Sequence, residues 1–318
     1  MADSGGCDEK GRRVALRSRL RELVTAQRRE RRPWLFLLPA MLSLVAVAIV
    51  PLLYAIYIAV HGINLTMPYL GRPFVGFDNF REVLTEPRSL NALLRTLIFL
   101  VVTVIPELIL GLLLSWSIHQ GCSIRERVWI TVLLVLPMAI PKVVGGLIWK
   151  VLYDPLVGPI NFVLQTLNLP APAWLGDPRF ALISVGIVDI WQWTPFMILI
   201  LLAGLESQPR ELFEAANLDG ANEFQQFWSV ALPLLRPFIA IAVLFRALDA
   251  MRTFDYFFTL TQGGPGRVTE TVDLYAYAIG ISESGDISTA TAAALVLLII
   301  TTILGTIWAK TMKWGQQP

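Results

Sequence analysis

The sequence predicts an all-α integral membrane protein with six transmembrane helices. Three observations carry that prediction. Of 318 residues, 55% are hydrophobic and only 16% charged; mean hydropathy is +0.61; and six apolar runs each reach the roughly 20 residues that a helix needs to cross a bilayer. A soluble domain carries about 25% charged residues, and one this apolar would expose large adhesive patches. The net charge of +2 gives nucleic acid no footing. Cys7 and Cys122 stand too far apart in sequence to form a metal-binding or disulfide pattern.

The first element, residues 1–33, is a polar arm with ten basic residues from Lys10 to Arg32 and five acidic ones from Asp3 to Glu30. Transit peptides are poor in acidic residues, so the arm reads as a cytoplasmic extension ahead of an uncleaved first span. The membrane domain, 34–310, follows, with spans expected at about 34–60, 93–118, 128–152, 180–205, 234–253 and 290–310. These runs are too long and continuous for barrel strands of about 9–11 residues. Several contain proline (Pro51, Pro106, Pro137, Pro141, Pro195, Pro237), tolerated where neighbouring groups satisfy the freed carbonyls. Residues 311–318 form a short tail.

Lysine and arginine in the flanks set the orientation. Placing the arm inside puts Arg125, Arg127, Arg210, Arg236, Lys310 and Lys313 with it, against Arg72, Arg81, Arg88, Arg179 and Arg267 outside. Both termini are therefore expected in the cytoplasm, with the arm supplying most of the bias. The outer stretch Tyr153–Arg179 contains an amphipathic segment from Gly158 to Pro170, read equally as an outer-surface element or a re-entrant packing element.

The most informative segment is the loop 206–232, expected in the cytoplasm between spans four and five. Pro209 suits the first turn of a helix, and Glu211 and Glu214 suit its positive end. Gly220 can take the left-handed conformation that ends it. Asn222 with Gln225 three residues on has the form of a capping box opening a second helix. The loop carries Glu206, Glu211, Glu214, Asp219 and Glu223 against Arg210 alone. Helices lying on an anionic leaflet are rich in Lys and Arg, so this acidic, aromatic-bearing knob suits a protein cleft.

Glu214-Ala215-Ala216, three residues, Gly220, nine residues, Val230, one residue, Leu232-Pro233 resembles the EAA loop of permease subunits in binding-protein-dependent ABC importers, with Val230 where isoleucine is usual. Other segments follow in order. Phe74–Phe80 is similar to the "GLxNF" segment of maltose-type permeases, and the Gly158–Asn161 stretch followed by Trp174-Leu175 is similar to theirs. Thr261–Gly266 is similar to their "TGGGP" turn, with Gln262 replacing a common glycine. The resemblance implies a coupling helix seated in a groove of an ATP-hydrolysing subunit, with Glu214, Ala215, Ala216, Asp219, Gly220, Leu232 and Pro233 transmitting closure of an ATPase dimer to the spans. It also implies a second, similar permease chain (a heterodimer), an extracytoplasmic solute-binding protein, a sugar cargo, and residence in a bacterial or archaeal cytoplasmic membrane. ATP and Mg would be bound by the ATPase subunits, with no cofactor in this chain.

What is missing points the same way. There is no Gly-x-x-x-x-Gly-Lys-Ser/Thr stretch, so the chain has no P-loop. There is no His-Glu-x-x-His or Gly-x-Ser-x-Gly and no metal set; His61 and His119 are the only histidines. The chain reads as a transport subunit rather than an enzyme. An ion-coupled transporter or channel is the alternative; such transporters show internal repeats, which this sequence lacks, and have no use for an EAA loop.

Charges inside spans are functional candidates, because each costs at least about 2.5–3.5 kcal/mol on insertion scales. Arg246, Asp249, Arg252 and Asp255 are spaced by three along span five, where opposite charges on one helix side can pair. They are read either as structural pairs or as groups that bond sugar hydroxyls. This stretch looks most like permeases for trehalose and related disaccharides. Glu107, Lys142 and Asp189, with Trp191, Gln192 and Trp193 beside Asp189, complete the candidates. Aromatic faces and carboxylate or amide groups are the usual pocket chemistry for a sugar, while tryptophans near span ends are more often interface anchors.

Overall fold

The computed structural model describes residues 36–312. The basic arm expected at 1–33 lies outside the described residues, as does most of the 311–318 tail. Among the described residues the chain is helical, with only isolated bridges such as His61 to Phe74 in place of strands. It divides into two units, Met1–Tyr57 and Ile58–Pro318.

The described part of the first unit is most of α1, Phe36–Ala59, an apolar helix with none of its most hydrophobic window buried. Apolar side chains on every side suit a helix surrounded by lipid.

The second unit holds the other helices. α2 is Asp78–Thr85, α3 Pro87–Gly121, α4 Ile124–Ala139, α5 Lys142–Leu152 and α6 Pro159–Thr166. α7 is Ala181–Glu206, α8 Arg210–Leu218, α9 Glu223–Ala250, α10 Asp255–Leu260, α11 Val272–Ser282 and α12 Ile287–Thr311. By length and composition α1, α3, α7, α9 and α12 can each cross a membrane, and the bent pair α4–α5 gives a sixth crossing if its two halves form one broken span.

That pair is where the structure departs from a plain bundle. The run 128–152 is not one straight helix: α4 and α5 meet at 91°. Ile140 is held extended (φ −80°, ψ 128°), as a residue before proline prefers, and Pro141 opens α5. The break frees carbonyls, and the buried Gln192 amide of α7 donates to two of them, Pro137 O (3.0 Å) and Ile140 O. Tyr256 of α10 donates to the other end of the same amide. A second break separates α9 from α10 at Met251–Phe254.

The core lies where α3, α7 and α10 meet, with Phe99 and Phe257 edge to face at 4.7 Å. α3 and α7 approach closely because Gly111 faces Met197; a Cβ there would sit 2.6 Å from the Met197 Cβ. Small residues at contacts are how membrane helices gain packing without a hydrophobic drive. At the end far from the loop 206–232, Arg88 forms ion pairs with Glu270 and Glu283, both at 2.6 Å. The sequence segments similar to the importer permeases fasten connections there. Asn79 donates to Ala59 O (2.8 Å) and His61 O (3.0 Å), and the Trp174 indole donates to Asn161 (2.7 Å).

Candidate functional site: a charge cluster between two helix breaks

Five charged side chains from four helices converge well inside the spans. Arg246 of α9 is their centre and is almost wholly buried. Its Nε and Nη2 fork onto Glu107 of α3 at 2.6 and 2.8 Å. Nη2 also donates to Asp189 of α7 at 2.6 Å, and Nη1 to Asp249, one helical turn further along α9, at 2.7 Å. Lys142, the first residue of α5, reaches both oxygens of Asp249 at 3.0 Å. The Trp193 ring lies beneath both cations, 4.9 Å from Arg246 Cζ and 5.1 Å from Lys142 Nζ. Forked guanidinium–carboxylate contacts are among the strongest hydrogen bonds a protein makes.

The cluster is graded from dry to open. Glu107 and Asp189 are fully buried, whereas the Asp249 side chain is 36% exposed. Asp249 lines one wall of a groove of about 1230 Å³ between α9 and α12, with Arg252, Thr302 and Lys310. Asp189 Oδ1 and the Trp193 indole nitrogen are buried polar atoms without a hydrogen-bond partner among the described residues.

Of the span-five series, Arg246 and Asp249 pair within the helix. α9 stops at Ala250, so Arg252 and Asp255 lie past its end and no longer follow the three-residue spacing. Gln192 sits beside the cluster with its amide committed to the helix break and to Tyr256. Trp191 turns elsewhere, edge to face with Trp149 of α5 at 5.7 Å. Lys142 and Glu107 stood among the sequence candidates as isolated charges. Tyr256 did not, because nothing local sets it apart from the aromatics around it.

The loop 206–232 is a second, separate constellation. α8 ends in a Schellman motif, with Gly220 N donating to Asn217 O and Ala221 N to Ala216 O, both at 3.0 Å. Gly220 has φ +76° and open space around it, so the backbone, not crowding, demands glycine. Asn222 and Gln225 form the reciprocal capping box at 2.9 Å in each direction. Gln226 donates to Asn217 (2.7 Å) and Ala221 O (2.9 Å), tying the two helices into a rigid corner. Phe213 packs with Trp116 of α3 and Phe227 of α9 against Leu235. Glu214, Ala215, Asp219, Gly220 and Pro233 are exposed, Ala216 and Leu232 half-buried. Leu218 and Phe224 project at 89% and 71% exposure.

Residues 84–312 match the family described as binding-protein-dependent transport system inner membrane component. The chain belongs to that family. This permease is 35% identical to a trehalose/maltose transport system permease protein of Thermococcus litoralis, over 77% of this chain and 81% of that one. It is 41% identical to a probable ABC transporter permease protein of Sinorhizobium fredii, over 77% and 78% of the two chains. In fold it is similar to a chain of a bacterial ABC transporter involved in the import of the acidic polysaccharide alginate, with TM-score 0.78 over 93% of this chain and 100% of that one at 20% identity. The protein is a multi-pass permease subunit of an ABC importer, a transport component rather than a catalyst.

Proposed function

We propose that this permease carries an uncharged carbohydrate of disaccharide class, trehalose or maltose being the first to test, past the Arg246 cluster. The observation that supports this most is that Asp249 joins a charge-compensated buried network to an open groove, at the level where two spans break. Solute sites of many transporters lie near the bilayer midplane at discontinuous helices. Arg246 and Lys142 are occupied by carboxylates, and Arg252 offsets the remaining negative charge. Counted with Arg252, the cluster carries no net positive charge to attract an acidic polysaccharide, while Asp249 and Arg252 keep hydrogen-bonding capacity for hydroxyls. In this reading Glu107, Asp189 and Arg246 hold Asp249 in place, Gln192 and Trp191 support the break beneath it, and the orphan atoms of Asp189 and Trp193 favour a polar occupant beside them.

The drive comes through the loop. A separate ATPase dimer, holding ATP and Mg, seats Glu214, Ala215, Ala216, Asp219 and Gly220 in its clefts, with Leu232 and Pro233 passing the motion into α9. A second, similar permease chain completes the membrane part, and an external solute-binding protein delivers the sugar to an alternating-access route. Both termini and the loop face the cytoplasm. The ion-coupled alternative gains no support from the geometry, which shows a rigid projecting corner of no use to such a transporter.

Two measurements test this together. Purification of the tagged chain from its native host in mild detergent should recover a P-loop ATPase and a second six-span chain, both lost with Gly220→Pro. Membrane vesicles of the host should take up radiolabelled trehalose or maltose with the wild-type chain and not with Asp249→Asn. Recovery of this chain alone, as a stable homo-oligomer, would end the importer assembly proposed here.

A further inference from the structure

The groove beside Asp249 has a second wall whose chemistry does not belong to a lipid-facing helix. On α12, Thr302, Thr306 and Lys310 recur every four residues and so form one stripe along the helix, all three exposed and all lining the groove. The next residues round the helix, Ile303 and Ile307, are exposed and apolar at 52% and 54%. The Thr302 hydroxyl donates to Leu298 O and the Thr306 hydroxyl to Thr302 O, each at 2.7 Å. Their donors are therefore spent on the helix, and their oxygens remain acceptors turned to the groove. Opposite them stand Asp249 and Arg252. A charge facing hydrocarbon at this depth costs at least about 2.5–3.5 kcal/mol, so lipid chains cannot fill the groove at the Asp249 level.

From Asp249 the stripe runs toward Lys310, near the end of α12 and on the same side of the bundle as the loop 206–232. We infer that Thr302, Thr306 and Lys310 form the wetted wall of the solute route from the charge cluster to the loop-side face. Its neutral acceptors pass an uncharged polyhydroxylated solute by offering exchangeable, weak contacts instead of a tight site. The inference rests on the reading that solute passes at Asp249. The alternative for backbone-bonded threonines, a helix face against lipid or against another dry helix, makes the opposite prediction for water access.

Single cysteines at Thr302, Thr306, Ile303 and Ile307, in a Cys7→Ser/Cys122→Ser background, are tested in permeabilised membranes carrying the assembled complex. The probe is a cationic, membrane-impermeant methanethiosulfonate, with Gln120→Cys as the exposed control. T302C and T306C should react nearly as fast as Q120C, and I303C and I307C should stay unreactive. Modification of T306C should also abolish uptake of whichever of trehalose or maltose the wild type transports. Reaction of T302C and T306C no faster than I303C, with Q120C labelled, overturns the wet wall. Failure of the proposed cargo shows differently: the wild-type chain then transports neither sugar, while the labelling pattern still stands or falls on its own.

Discussion

Arg246 shows how a membrane chain keeps a cation inside its bundle. Its donors meet three carboxylates from three helices, and the Trp193 face covers it. Removing one partner of a buried pair is more damaging than the pair is worth, about 3–5 kcal/mol, because the remaining charge is stranded. Glu107→Gln should therefore lower the melting temperature of the detergent-solubilised protein markedly. Asp249→Asn, at the open edge of the same cluster, should cost no more than about 1 kcal/mol while sugar uptake is lost. Equal destabilisation by both changes would show that Asp249 is only another strut. Gln262 offers a second case. It holds φ +50° in the turn after α10. A left-handed residue other than glycine costs roughly 1–2 kcal/mol, so Gln262→Gly should raise thermal stability without touching uptake.

At the scale of elements, the corner between α8 and α9 and the break between α4 and α5 work in opposite ways, one rigid by hydrogen bonding and one permitted by it. Gly220→Val forces a β-branched residue to φ +76° where nothing crowds it. The cost falls on the corner's geometry, not on packing. The chain should still reach the membrane in normal amount, yet ATP hydrolysis should persist in the complex while uptake falls. Uptake at the wild-type level would remove the corner from the drive. Gln192→Leu is near in size but withdraws the amide that serves Pro137 O and Ile140 O. Each unsatisfied backbone group in a dry environment costs several kcal/mol, so this variant should be poorly folded, with loss of monodispersity in detergent as the readout. These two elements also show what a sequence discloses. Pro209, Gly220 and the Asn222–Gln225 spacing are local signals within a few residues, and the corner they describe is the one in the structure. Pro137 and Pro141 likewise announce a disturbed helix. The group that satisfies the carbonyls at the 91° bend comes from outside, Gln192, fifty-five residues from Pro137 in sequence. In the same way Glu107 and Arg246 are each conspicuous alone, but a pairing across 139 residues leaves no periodic trace in either span.

Over the whole of the larger unit, charge is placed at three levels: the acidic loop at one end, the Arg246 cluster in the middle and the Arg88 clasp at the far end. The clasp ties the start of α3 to Glu270, just before α11, and to Glu283, just after it, with the Arg88 guanidinium also 5.5 Å from the Tyr275 ring. The hydrogen bond from Arg88 holds the Glu283 carboxyl below the usual carboxylate range, against partial burial and with help from the charges of Arg88 and Arg267. A carboxyl whose folded value is depressed contributes stability that is fully present above its unfolded value and is lost as pH falls through the folded one. The Glu283 side chain is half exposed, so salt screens part of this contribution. The segment 263–286 should therefore exchange its amide hydrogens faster, relative to the intrinsic rates, as pH drops below the ordinary carboxylate range, and this pH response should shrink at high salt. Glu283→Gln should show the faster exchange already at neutral pH and lose most of the pH response. A response unchanged by that substitution would remove Glu283 from the acid sensitivity of the clasp; Glu82 cannot replace it, because its carboxyl is raised chiefly by burial and then by Asp286 and Glu86, and taking up a proton there favours the folded state as pH falls. Because the clasp holds the loop that follows α10, its opening should reach the charge cluster through α10 and Tyr256, and uptake should fall in the same pH window in which exchange rises.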